Sequence, residues 1–203
     1  MNKYITEFIG TFFLVLTAGL ASGDLAVLII ASALMVMIFA GGHISGAHYN
    51  PAVTLAVLIR GKISTGDAIG YMASQFVAAV VAAFVAGYFK EMPAEAVQTI
   101  DTTKALIAEA IATFALAYVV LNVATAKGTS GNSFYGLAIG FTVFFAGSAL
   151  GGYSGGALNP AVALGASVMK AFAWNNIWVY LVGCFAGGAL AAIVFKINNP
   201  DDK

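Results

Sequence analysis

The chain reads as an all-α membrane protein: six transmembrane helices plus two re-entrant half-helices, arranged as an inverted three-helix repeat. Three observations lead there. The composition is too poor in charge to solvate a globule, six apolar segments have membrane-crossing length, and two shorter apolar segments occupy matching places in an internal repeat.

Of 203 residues, 61% are hydrophobic and only 9% are charged, and the mean hydropathy is +0.92. A soluble domain carries about 25% charged residues, so most of this surface must face a lipid bilayer. The formal net charge is zero and no basic run occurs, which sets nucleic acid aside as a partner. Cys184 is the single cysteine; it excludes an internal disulfide and a cysteine-rich metal centre, and its apolar neighbours make it read as buried filler. The apolar run over 5–21 is long for a signal sequence and lacks a small-residue cleavage site, so it reads as the first span.

A spanning helix needs roughly 20 mostly apolar residues, because each adds about 1.5 Å across about 30 Å of hydrocarbon. Spans are expected over 4–22, 25–43, 67–89, 105–126, 132–150 and 176–196. The segments 51–59 and 160–169 reach only about 14–15 Å, half the membrane. Short apolar segments flanked by Gly and Pro signal half-helices that enter and turn back.

These short segments belong to a repeat. Glu7-Phe8-Ile9-Gly10-Thr11-Phe12 matches Glu109-Ala110-Ile111-Ala112-Thr113-Phe114, and Ser45-Gly46-Ala47-His48-Tyr49-Asn50-Pro51-Ala52-Val53 matches Ser154-Gly155-Gly156-Ala157-Leu158-Asn159-Pro160-Ala161-Val162. The single domain, 1–203, thus divides into halves of about 1–95 and 103–203. Each half holds three spans, an odd number, so the second must insert upside down. Lys3, Arg60, Lys62, Lys127, Lys196 and Lys203 fall on one face, against Lys90, Lys104 and Lys170 on the other. By the positive-inside rule both termini are expected in the cytoplasm, with the chain a multi-pass protein of the cell membrane.

Asn followed by Pro is a strong helix start. Asn accepts a backbone N–H at the N-cap, and Pro fits the first turn, where no N–H is required. Asn50-Pro51-Ala52 and Asn159-Pro160-Ala161 should therefore open the two half-helices near the membrane midplane, their positive ends meeting from opposite faces. The asparagine amides are left free to donate to whatever lies between. The Gly-rich approaches must lie inside protein or along a wet cavity, where the carbonyls of Gly46, Ala47, His48, Gly155, Gly156 and Ala157 would form a ladder of acceptors. One such motif in a loop would be only a helix start. Two, at equivalent places in an inverted repeat, point to a pore suited to neutral molecules with an acceptor oxygen.

This constellation resembles the aquaporin (major intrinsic protein) family over essentially the whole chain. The resemblance rests on residues 42–54, on residues 155–161, and on Glu7 and Glu109. It implies a single-file pore in each subunit, a homotetramer, and Glu7 and Glu109 as braces for the two loops. One departure is informative. Family members mostly carry arginine directly after the second Asn-Pro-Ala, whereas this chain has Val162; the other constriction positions fall on Ile30, Gly147 and Gly156. Losing an arginine removes a fixed cation and its donors, so ammonia, urea or similar solutes are expected beside water. Some plant vacuolar members also carry valine there. The glycerol-conducting branch has arginine then aspartate where this chain has Val162-Ala163.

The remaining residues add little chemistry. His43 and His48 are placed in the first loop as backbone support, too few to make a metal site, so neither metal nor cofactor is expected. Small residues at helical spacing, Ala78, Ala82 and Ala86 in one span and Gly183 and Gly187 in another, suit close helix packing. Trp174, Trp178 and Tyr180 are placed in an interfacial aromatic belt. No enzyme is expected, since no nucleophile–base pair or phosphate loop exists. A passive channel for water and small neutral solutes is the leading reading. The alternatives are a neutral-solute channel with little water flux, a secondary transporter, and a closed membrane structural protein.

Overall fold

In a computed structural model, residues 1–96 and 99–202 are described; Lys203, counted above among the cations of the terminal face, lies outside them. The helices are α1 (Asn2–Leu20), α2 (Ala26–Ser45), α3 (Pro51–Arg60), α4 (Thr65–Phe89), α5 (Thr102–Ala124), α6 (Tyr135–Ser154), α7 (Pro160–Val168) and α8 (Ile177–Asn198). Among the described residues there is no strand. Six helices are long and apolar enough to cross a bilayer. With 10 and 9 residues, α3 and α7 reach about 15 Å, half the hydrocarbon core. The fold is thus six transmembrane helices plus two half-helices in an inverted repeat.

The second helix of each half runs further than its hydropathy suggests, through Ser45 in α2 and Ser154 in α6. Each ends where a glycine turns left-handed, Gly46 at φ 83° and Gly155 at φ 93°. A left-handed glycine is the common helix stop, so part of each supposed loop is the last helical turn. His43 consequently sits in the last turn of α2, exposed, and not in the loop.

The two halves interlock through their half-helices. A β-carbon added at Gly188 of α8 would meet the Ala52 oxygen of α3 at 2.6 Å, and one at Gly165 of α7 would meet the Ala79 oxygen of α4 at 3.4 Å. Each half-helix therefore rests on the last helix of the opposite half, and at Gly188 the approach leaves no room for any residue but glycine. Along α8, Gly183 and Gly187 press on the α5 backbone at Leu106 and Ala110. Ala78, Ala82 and Ala86 of α4 are fully buried, with Val15 of α1 beside Ala82 and Ala86 in one apolar cluster. Small side chains here let backbones approach, which is how helices associate where lipid offers no hydrophobic drive.

The outward faces are apolar, with Ile5, Ile9, Phe13, Phe84, Phe141 and Phe145 exposed. Trp174 and Trp178 are exposed at the start of the last span, but Tyr180 is 1% exposed and belongs to the interior, not to the aromatic belt.

Candidate pore between two asparagine-capped half-helices

Each half-helix is capped by its own asparagine. The Asn50 side-chain oxygen accepts from the Ala52 amide at 2.8 Å and the Val53 amide at 3.4 Å; Asn159 accepts from the Ala161 amide at 2.9 Å. The amide nitrogens then cross between halves. Asn50 Nδ2 donates to the Leu158 oxygen at 2.8 Å, and Asn159 Nδ2 donates to the Tyr49 oxygen at 2.9 Å. One N–H of each amide is thus spent on joining the halves, and only the second remains to face the cavity. Sequence reasoning left both free.

The approaching loops are built on left-handed backbone at equivalent positions: Gly46, Ala47 and Tyr49 in the first, Gly155, Gly156 and Leu158 in the second. For a non-glycine residue this costs about 1–2 kcal/mol, so Ala47, Tyr49 and Leu158 need something to hold them. Glu7 does so in the first half. Its carboxylate accepts from Ser45 Oγ at 2.7 Å, the His48 amide at 2.9 Å, the Tyr49 amide at 2.7 Å and Gln75 Nε2 at 2.8 Å. Glu109 repeats the scheme with Ser154 Oγ at 2.6 Å, the Ala157 amide at 2.9 Å and the Leu158 amide at 2.7 Å. Hydrogen bonds to a charged group contribute about 1.5–3 kcal/mol each. Two amides per loop are enough to offset the strain. Both glutamates are fully buried, and their donors, not a counter-cation, satisfy them.

Four partners of the loops escaped the sequence reading. Tyr71 and Tyr180 donate to the Ser45 and Ser154 oxygens at 2.7 and 2.6 Å. Gln75 donates to Glu7 and also to Thr54 Oγ1 at 3.1 Å, while its counterpart in the second half, Cys184, presents its Sγ to Glu109 at 3.3 Å. Cys184 is therefore a bracing donor rather than filler. The signal was available: Tyr71 and Tyr180, and Gln75 and Cys184, are related by the same offset as the two Asn-Pro-Ala motifs. The His48 ring contacts Thr54 Oγ1 at 3.1 Å through Nδ1 and lies edge-on to Tyr71, centroids 5.1 Å apart.

A cavity of about 260 Å³ runs from the face opposite the termini to this junction, lined by Asn50 and Asn159, by Ala47, His48, Gly155, Gly156 and Ala157, and by Ile30 and Val162. A second, about 500 Å³, opens on the terminal face, with Gly46, His48 and Tyr71 in its wall. His48 belongs to both. Gly147 does not line the first cavity. It stands behind Gly156, where a β-carbon would collide with Val27 Cγ1 at 2.8 Å. Of the four constriction positions expected from the sequence, Ile30, Gly156 and Val162 line this cavity, and Gly147, the fourth, stands behind Gly156 as spacing.

Six spans, two half-helices meeting at paired asparagine caps and a cavity approaching that junction from each face define a membrane channel. The profile of the family described as "Major intrinsic protein" matches residues 1–195. The chain is 36% identical to "Glycerol uptake facilitator protein-like 6" of Lactiplantibacillus plantarum, each chain covered over 100% of its length. It is also 36% identical to "Aquaporin TIP2-1" of Zea mays, over 96% of this chain and 86% of that one. Among solved structures, the aquaglyceroporin from Plasmodium falciparum superposes with a TM-score of 0.83 at 25% identity, covering 98% of this chain and 97% of that one. The chain belongs to the major intrinsic protein family, whose members are channels for water and small solutes, not enzymes.

Proposed function

We propose that this protein is a passive channel for water and for other small neutral solutes such as ammonia and urea, conducting in single file past Asn50 and Asn159. The observation that carries the reading is the chemistry of the cavity wall. Asn50, Asn159 and the loop segments of Ala47, His48, Gly155, Gly156 and Ala157 share it with the apolar side chains Ile30, Leu34, Val143 and Val162. A water molecule crossing the junction exchanges bulk hydrogen bonds for the remaining asparagine N–H groups and the loop carbonyls, while the apolar wall holds it in file. A cation meets two helix N-termini, each a partial positive charge, and the buried carboxylates Glu7 and Glu109 are spent on their loops.

Val162 distinguishes this wall. A half-buried valine supplies neither donors nor a fixed charge, so the outer narrowing selects by size and not by charge. This favours ammonia and urea beside water. A transporter would require ion-coordinating side chains around a closed substrate site, whereas the charged side chains in this wall, Lys90 and Glu91, are exposed. The excess of Lys and Arg on the terminal face supports cytoplasmic termini in a cell membrane. The apolar outer faces support a homotetramer in which some of them meet partner copies and the rest meet lipid.

The test is osmotic shrinkage of liposomes by stopped-flow light scattering, with empty liposomes and a Val162→Arg variant alongside. Fast shrinkage with a low activation energy establishes the water pore. The variant should lose urea and ammonia flux more than water flux. Shrinkage no faster than in empty liposomes rejects the reading.

A further inference from the structure

Half-helix α3 ends in a buried cation. Arg60 is its last residue, with a side chain 2% exposed, and Nη2 meets Asp202 Oδ1 at 2.6 Å, the carboxylate being 11% exposed. The other carboxylate oxygen accepts from the Lys127 amide at 2.8 Å, beyond α5. The guanidinium carbon stands 4.8 Å from the ring centroid of Phe195, a fully buried residue of α8. Asp202 thus ties three parts of the terminal face together: the first half-helix, the connection after α5, and the segment following α8.

The mechanical consequence follows from the length of α3. Ten residues make a stiff rod of about 15 Å, with Arg60 at one end and the Asn50 cap at the other. Near the Asn50 end the rod bears on Gly188 of α8, where the Ala52 oxygen leaves no room for a β-carbon. That contact is a fulcrum. A guanidinium cannot shed its proton to suit an apolar site, so without Asp202 it must leave for water and pull its end of the rod with it. The Asn50 end then swings against the second loop, across the Asn50–Leu158 hydrogen bond. Among the described residues no ion pair holds the end of α7. The residue equivalent to Arg60 is Met169, buried in an apolar cluster with Val15, Ala82 and Ala86.

We propose that Asp202 is a positioning residue of the pore, fixing through Arg60 the tilt of half-helix α3 and hence the place of Asn50 opposite the second loop. This rests on the reading of the Asn50–Asn159 junction as the conducting site.

The test uses the full chain in lipid nanodiscs and liposomes, comparing wild type, Asp202→Asn and the paired apolar replacement Arg60→Met with Asp202→Leu. Amide hydrogen exchange is followed over residues 52–54 in the first turn of α3, with 161–163 in α7 as internal control; the activation energy of osmotic shrinkage is the second readout. Asp202→Asn should raise exchange over 52–54 by about tenfold, the counterpart of one lost charged hydrogen bond. The control should stay unchanged and the activation energy should rise. The apolar pair, which leaves no unpaired charge, should restore both. Unchanged exchange over 52–54, exchange rising only near residue 60, or an equal rise in α7 would each overturn the proposal. A wild type that passes no water defeats the pore reading, while the exchange data still decide the clasp.

Discussion

Replacing Glu7 by glutamine substitutes a donor for one of its two acceptor oxygens, and the geometry dictates what is lost. Oε1 serves Ser45 Oγ and the His48 amide, and Oε2 serves the Tyr49 amide and Gln75 Nε2. With the new nitrogen at Oε2, Gln75 can turn and offer its own carbonyl oxygen, which has no hydrogen-bond partner among the described residues; the Tyr49 N–H is then orphaned. With the nitrogen at Oε1, the Ser45 hydroxyl can accept, but the His48 N–H is orphaned. Either way one backbone N–H loses a charged partner, a cost of about 1.5–3 kcal/mol, or about 10- to 150-fold in the unfolding equilibrium. The left-handed Ala47 and Tyr49 add a strain of about 1–2 kcal/mol each that the weakened brace must still hold. Glu109→Gln should cost at least as much, because Cys184 stands where Gln75 does and a thiol is a poor acceptor. Equilibrium unfolding in a denaturing detergent, with stopped-flow shrinkage on the same preparations, measures both effects. A Glu7→Gln protein with wild-type unfolding midpoint and wild-type flux would refute the bracing argument.

Other outcomes follow from the same contacts. Gly188→Ala places a β-carbon 2.6 Å from the Ala52 oxygen; relieving it moves α3 off α8, which should destabilise by about 1–3 kcal/mol and slow flux, read by the same two assays. Tyr180→Phe removes only the hydrogen bond to the Ser154 oxygen and should cost about 1 kcal/mol, far less than Glu109→Gln in parallel unfolding. The pH dependence has a definite sign. The Lys127 amide, with Arg60 beside it, holds the Asp202 carboxyl below its ordinary value of 3.8, so its contribution is complete above that value and is lost as the pH falls through the depressed one. The unfolding midpoint of the wild type should therefore converge on that of Asp202→Asn only below about pH 4.

How far the sequence carried the fold, and where it stopped, has a physical pattern. Hydropathy and length placed every span within a few residues, because lipid demands the same apolar run of any helix that crosses it. Asn-Pro located both half-helix starts, since capping is local chemistry. Helix ends were less legible: α2 and α6 run to Ser45 and Ser154 because only backbone angle, not composition, tells a stop glycine from one inside the helix. Bracing partners were legible only through the repeat. Tyr180 beside two tryptophans looks interfacial until it is paired with Tyr71, and Cys184 looks inert until it is paired with Gln75. Arg60 was beyond reach. It counts in the sequence only as one more cation of the terminal face, and nothing local to 51–60 announces that a carboxylate far along the chain returns to cover it. The asymmetry that results is informative, since Arg60 and Met169 occupy equivalent positions yet one half-helix is held by charge and the other by apolar packing. Under the proposed function, Val162 would put size selection on the face opposite the termini, while the Arg60–Asp202 ion pair puts a buried charge on the terminal face.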